Sequence, residues 1–263
     1  MPYCLHGCNV TLVRSVLLLV LCTLGCKAVT YADGPRDTVA DAPGSLSADA
    51  SVDAAPPDAP PRPPPPKPTF VQSVPKQCAA AQACTVPITG TGTGQLLLVS
   101  ITNTPKTIHV ASVRNKQAQA FQRLIGPIVW GANFQTELWW GKRGQSDEAI
   151  SINLNGASGS VFLAYVDEFV ARSIDQSASA SGTLTAAGSF SSGTRTLASA
   201  PQIIFGHGEG EGAIVSAGTG FTTRSTDFDN IEQTKSVSAS GTYDAPFTLD
   251  KAGAWMAFMV TLR

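Results

Sequence analysis

Three stretches decide the fold: Leu96-Leu97-Leu98-Val99, Ile203-Ile204-Phe205 and Trp255-Met256-Ala257-Phe258-Met259-Val260. Each is short, rich in β-formers and apolar at consecutive positions. Side chains alternate between the two faces of a strand, so a run that is apolar at every position has two dry faces. These runs are expected to be central strands, covered on both sides or packed under loops.

Outward from them the same idiom repeats. Short β-branched runs bounded by Gly, Asn, Ser and Pro recur from Thr69 to Leu262. They predict strands over 69–74, 84–89, 95–102, 107–113, 118–125, 135–140, 149–154, 160–170, 202–206, 213–217, 221–224, 234–240, 247–250 and 255–262. The segment Lys116–Ile125 holds good helix formers, but its alternation and the Asn115-Lys116 turn signal favour a strand. The predicted class is all-β: a two-sheet antiparallel sandwich over 68–263, jelly-roll or concanavalin-like.

The first 25 residues read as an export signal. Arg14 precedes the apolar run Val16–Leu24, which is too short to span a bilayer and has the length of a signal core. Leu24-Gly25-Cys26 follows. It resembles the bacterial lipobox, which implies cleavage before Cys26, diacylation of its thiol and a membrane anchor, at the outer membrane or cell surface since Lys27 rather than Asp follows. The alternatives are ordinary secretion with a cut near Thr30–Ala32, or an uncleaved anchor. Residues 26–67 read as a disordered stalk. Within 28–67 lie ten prolines, six Asp and a single aromatic, Tyr31. Such a stretch has too little apolar surface to offset the entropy of ordering, and Pro60–Pro66 predicts a polyproline II spacer.

Composition excludes one partner class. Net charge is −1 and Lys and Arg do not cluster, so nucleic-acid binding is not expected. Cys4, Cys8, Cys22 and Cys26 fall in the first 26 residues. Cys78 and Cys84 remain in the folded part and are expected to pair in an oxidising compartment, pinning the loop between the first two strands.

Gly94–Val99, Val110–Val113, Glu137–Lys142, Val166–Phe169, Gly218–Arg224, Ser240–Tyr243 and Trp255–Arg263 occur in the order of motifs of a recurrent bacterial extracellular β-sandwich module of unknown function. The resemblance covers about 69–263 and implies a jelly-roll-like sandwich on a surface protein. It implies no catalytic residue, and it associates the chain with carbohydrate-active or adhesive neighbours.

The candidate chemistry is thin. No Gly-x-Ser-x-Gly elbow is present. His109 reads as a solvent-facing strand residue. Gly206-His207-Gly208-Glu209-Gly210-Glu211-Gly212 offers His207, Glu209 and Glu211 as metal donors, against the plainer reading of a glycine-rich solvated loop. Asp227 and Asp229, with Asn230, resemble a fragment of a calcium loop, so structural calcium is a candidate although no other cofactor is expected. Glu137 and Glu168 are the conceivable pair for a glycan hydrolase. Trp130, placed in a loop, and Trp140, one of an adjacent pair, are the candidate ligand-binding aromatics. The resulting expectation is a non-enzymatic envelope lipoprotein displaying a binding or adhesion module for polysaccharide or a surface protein. The alternatives are a structural envelope component and a glycan-acting hydrolase.

Overall fold

The computed structural model describes residues 66–78, 80–90 and 95–263. The expected export signal, Cys26 and all but the last residues of the expected stalk lie outside them. The described chain is all-β and antiparallel, with one short 3-10 turn over Asp227–Asp229.

The chain runs first through β1 (Thr69–Gln77), β2 (Ala83–Ile88), β3 (Leu96–Asn103), β4 (Val110–Arg114), β5 (Gln122–Trp130), β6 (Phe134–Lys142), β7 (Glu148–Leu154) and β8 (Phe162–Val170). These strands form a five-stranded sheet in the order β1-β8-β3-β6-β5 and a three-stranded sheet in the order β2-β7-β4. Leu97, Val99, Ile101, Ala164 and Val166 of the larger sheet pack on Val86, Ile88, Val113, Ile150 and Ile152 of the smaller. That is one complete sandwich.

The chain then builds a second with β9 (Ile174–Leu184), β10 (Gly188–Ser191), β11 (Arg195–Leu197), β12 (Gln202–Gly210), β13 (Ile214–Ala217), β14 (Thr222–Ser225), β15 (Ile231–Val237), β16 (Gly241–Tyr243), β17 (Pro246–Leu249) and β18 (Gly253–Leu262). Its large sheet runs β14-β15-β12-β18-β9, its small sheet β10-β17-β13, and β11 pairs with β16 as a separate ribbon. With that ribbon set aside, both halves have the same wiring. The large sheet is first-eighth-third-sixth-fifth, and the small sheet is second-seventh-fourth. This is jelly-roll wiring with the fifth strand moved to the edge of the larger sheet.

The two large sheets face each other. Leu96, Leu98, Leu138 and Phe169 pack on Ile203, Phe205, Met256, Phe258 and Val260. A third core, including Ile204, Ala257, Met259, Phe190, Phe247 and Leu249, lies between the second pair of sheets. The order of layers is therefore small, large, large, small, rather than the expected two sheets. The physical reason is in the opening runs. β3, β12 and β18 are the third, third and eighth strands of the two large sheets, and each buries both faces. At about 1.5–3 kcal/mol per buried large aliphatic side chain, three dry seams outweigh exposing either face.

Backbone chemistry agrees with these positions. Pro75, Pro87 and Pro127 lie on β1, β2 and β5, all edge strands, where no ladder bond is lost on the outer side. Cys78 and Cys84 form the expected disulfide, with Cα atoms 5.9 Å apart, joining the end of β1 to β2.

Candidate functional site

Residues 206–210 are strand, not loop. β12 carries the apolar run Ile203–Phe205 straight on to Gly210. A Cβ at Gly206 would meet Ala245 at 2.6 Å, at Gly208 would meet the Phe247 ring at 2.8 Å, and at Gly210 would meet Leu249 at 2.5 Å. The glycines are there because the small sheet presses onto this face. The alternate positions, His207 and Glu209, turn the other way, into the seam between the two large sheets.

That seam has two unlike parts. Along β3, Leu96 and Leu98 give way to Ser100 and Thr102; along β12, Ile203 and Phe205 give way to His207 and Glu209. The polar part holds a buried network. His207 Nε2 lies 2.7 Å from Glu209 Oε1, and Nδ1 lies 3.3 Å from Glu232 Oε1 on the neighbouring strand. Thr102 donates to Glu209 at 2.6 Å, and Thr136 donates to it at 3.2 Å. Thr136 in turn accepts from Trp130 Nε1 at 3.0 Å. From β1, Ser73 donates to Glu232 at 2.5 Å. Asp167 on β8 is fully buried beside Ser73 in the strand register. The Tyr165 ring stands edge-on to the imidazole at 4.9 Å, and Phe258 stacks on it at 5.1 Å.

Burial pulls the His207 imidazole down, but the hydrogen bonds and charges of Glu209 and Glu232 outweigh it and raise the group to about 9. Burial, then the charge of Glu232, holds the Asp167 carboxyl well above the usual carboxylate range. Burial, then Glu209, likewise raises the Tyr165 phenol. At neutral pH the imidazole, raised to about 9, holds its proton between Glu209 and Glu232, and the Asp167 carboxyl beside Glu232 is biased toward its protonated form. Ser73 donates to Glu232 and not to the imidazole, so no serine–histidine pair is formed, and His207 and its carboxylate partners are all sealed from solvent.

The other candidates are dispersed. Glu211 lies past the end of β12 and accepts from the Ala254 amide at 3.0 Å. The side chain of Asp227 accepts from Ser225, its carbonyl accepts from Tyr165, and Asn230 donates to that same phenol. Phe228 and Asp229 both have positive φ, at 56° and 61°. Among the described residues no group of three or more His, Cys, Asp or Glu side chains is arranged to hold a metal ion. His207, Glu209, Glu211, Asp227 and Asp229 are thus not brought together as a metal centre.

Glu137 and Glu168 do not face each other. They sit on β6 and β8 with β3 between, opposite Ile101 and Leu97 respectively, which separates them by roughly 16 Å. Glu137 accepts from the Val110 amide and Trp139. Glu168 takes a fully buried Arg143 at 2.7 Å, together with Gln72.

Trp130 is not an exposed platform. It ends β5, is 5 % exposed, and stacks on Phe134 with centroids 4.5 Å apart. The ring is committed to the seam because β5 runs further than the sequence pattern suggested. Trp140 is half-buried at the rim of the same seam, where a groove of about 310 Å³ runs past Gln119, Phe121, Gln122 and Lys142. Burial lowers the Lys142 ammonium from its ordinary value. Trp139 turns to the opposite core and donates to Glu137. His109 is exposed, as expected, but it lies in the loop just before β4 rather than within a strand.

Comparison with known proteins finds no matching family model, no matching curated protein and no matching solved structure.

Proposed function

We propose that this chain is an exported, lipid-anchored, non-enzymatic surface protein whose double sandwich is a binding or adhesion body, with polysaccharide as the ligand class. The groove beside Trp140 carries the reading. It combines a half-buried indole with the amides of Gln119 and Gln122 and the Lys142 ammonium on one rim. An indole face with flanking amides suits a sugar ring, whose C–H face stacks and whose hydroxyls bond. The internal engagement of Glu137, Glu168, His207, Glu209 and Glu232 supports binding over hydrolysis, since each is held by groups of the protein itself.

A glycan screen with the detergent-solubilised full chain tests this. Trp140→Ala should abolish binding while Trp130→Ala should act through stability. A folded protein that binds no glycan returns the reading to a structural component of the envelope. The anchor has its own test. Cys26→Ala should leave the precursor unprocessed or release the protein from membranes. Normal processing and retention would sink the lipid assignment.

A further inference from the structure

The polar part of the central seam gathers titratable groups from both sandwiches around one imidazole. His207 is faced by Glu209 along β12, by Glu232 from β15 and by Tyr165 from β8, and Asp167 of β8 lies against Glu232 rather than the imidazole. β1 contributes only the Ser73 hydroxyl, on Glu232. β3 and β6 contribute the Thr102 and Thr136 hydroxyls, on Glu209, and β18 contributes the Phe258 ring. On β14 the charged side chain, Arg224, is engaged elsewhere, donating to Thr234 and lying 4.6 Å over Phe70. The turn that follows adds Asp227, held by Ser225.

This part of the seam is the expensive one to keep closed. Both carboxyl oxygens of Asp167 and the Ser100 hydroxyl are buried without a well-formed hydrogen bond, and His207 Nδ1 and Glu232 Oε1 have only each other, at a long 3.3 Å. Water would satisfy all of them if the sheets parted here. The apolar part, around Leu96, Leu98, Ile203, Phe205 and Val260, gains nothing from water.

We propose that the His207–Glu209–Glu232–Asp167 cluster is a proton-dependent latch that holds the polar part of the seam closed. With the imidazolium in place, one cation sits between two carboxyl groups contributed by the second sandwich, and Asp167 of the first sandwich, biased toward its protonated form, is laid against Glu232. Loss of the imidazolium proton leaves two carboxylates buried with no cation. Loss of the Asp167 proton sets a further negative charge against Glu232. Either change favours hydration, so the seam opens from this end while the apolar end keeps the sandwiches in contact. His207, raised to about 9, places its change on the alkaline side of neutrality.

Hydrogen exchange of the full chain, read by mass spectrometry and corrected for the intrinsic pH dependence of exchange, tests the latch. Between about pH 7 and about pH 10, protection over 202–210 and 231–237 should fall roughly tenfold or more, as loss of a cation held a pK unit or more above neutrality requires. Protection over 83–88 and 148–154, in the far small sheet, should change less than about twofold, because no latch group lies there. Asp167→Asn should keep the seam closed at neutral pH, and His207→Gln should remove the alkaline step. An equal fall in all four segments of the native chain overturns the proposal. So does an alkaline step that survives unchanged in a folded His207→Gln protein. Should that variant fail to fold, the contrast between segments in the native chain decides the matter alone.

Discussion

The two sandwiches share a wiring diagram and little of their chemistry. In the first, the layers are tied by a covalent and an ionic device: the Cys78–Cys84 bond, and the buried Arg143–Glu168 pair, whose guanidinium also donates to the carbonyls of Gly90, Gln145 and Ser146. In the second, the layers are tied by aromatic packing. Phe190 stacks between Phe247 and Trp255, with centroids 5.6 and 4.7 Å apart, and the glycines of β12 let the small sheet approach. The wiring therefore does not depend on any particular fastening. What the halves have in common is a pattern: two-sided burial on the third and eighth strands, and alternating burial on the seventh, visible at Glu148–Leu154 and at Pro246–Leu249.

The comparison can be broken at its strongest points first. Arg143→Ala would strand Glu168 in a dry seam and should cost about 3–5 kcal/mol, measured by denaturant unfolding. The double change Arg143→Met with Glu168→Leu should recover most of that loss, because it removes both charges together. Phe247→Ala, in the second sandwich, should cost a comparable 3–5 kcal/mol by opening a cavity against Gly208 and Phe190, with no rescue by a partner change. If Phe247→Ala cost under about 1 kcal/mol, aromatic packing would not be what joins those layers.

Between the sandwiches the expected lever is pH. The His207 imidazole titrates at about 9 in the folded protein, above its ordinary value. A raised base stabilises the fold fully below its unfolded value, near 6.5, and that contribution is lost as pH climbs through about 9. Its full size is roughly 3 kcal/mol. Asp167, also raised, acts in the same direction: its contribution is greatest in acid and is lost as pH rises. Thermal midpoints taken from about pH 6 to about pH 10 should fall, and should fall less in His207→Gln. A flat profile would remove the charge argument. The smallest effect belongs to the staple. Cys78→Ser with Cys84→Ser closes no loop in the unfolded chain and should cost roughly 2 kcal/mol, lost from the first sandwich alone.

Much of the first sandwich was legible because its strands announce themselves. β2 and β7 alternate cleanly, β3 opens on four apolar residues, Leu96–Val99, and β8 on five, Phe162–Val166. The second was harder. β9, Ile174-Asp175-Gln176-Ser177-Ala178-Ser179-Ala180-Ser181-Gly182-Thr183-Leu184, carries almost no apolar signal, yet it is an eleven-residue strand. It is an edge strand whose partner β18 supplies the burial, so pairing rather than periodicity defines it. β10, β11 and β16 were missed for the same reason. Gly206–Gly212 was read as a loop because glycine usually marks one. The signal against that was the alternation itself, glycine at every second residue continuing an apolar run.

The sequence alone determined the all-β class, the disulfide and the need for strands with two dry faces, because side-chain alternation and burial are written locally. It could not say what would cover the second dry face of β3, β12 and β18. Only the tertiary structure decided that each large sheet is covered by the other. The same docking turned His207 and Glu209 from candidate ligands on an open loop into the charged centre of a seam. Whether an imidazole meets solvent, a metal or two carboxylates depends on strands brought together from 25 to 134 positions away, from Glu232 and Ser73, and no local pattern carries that information.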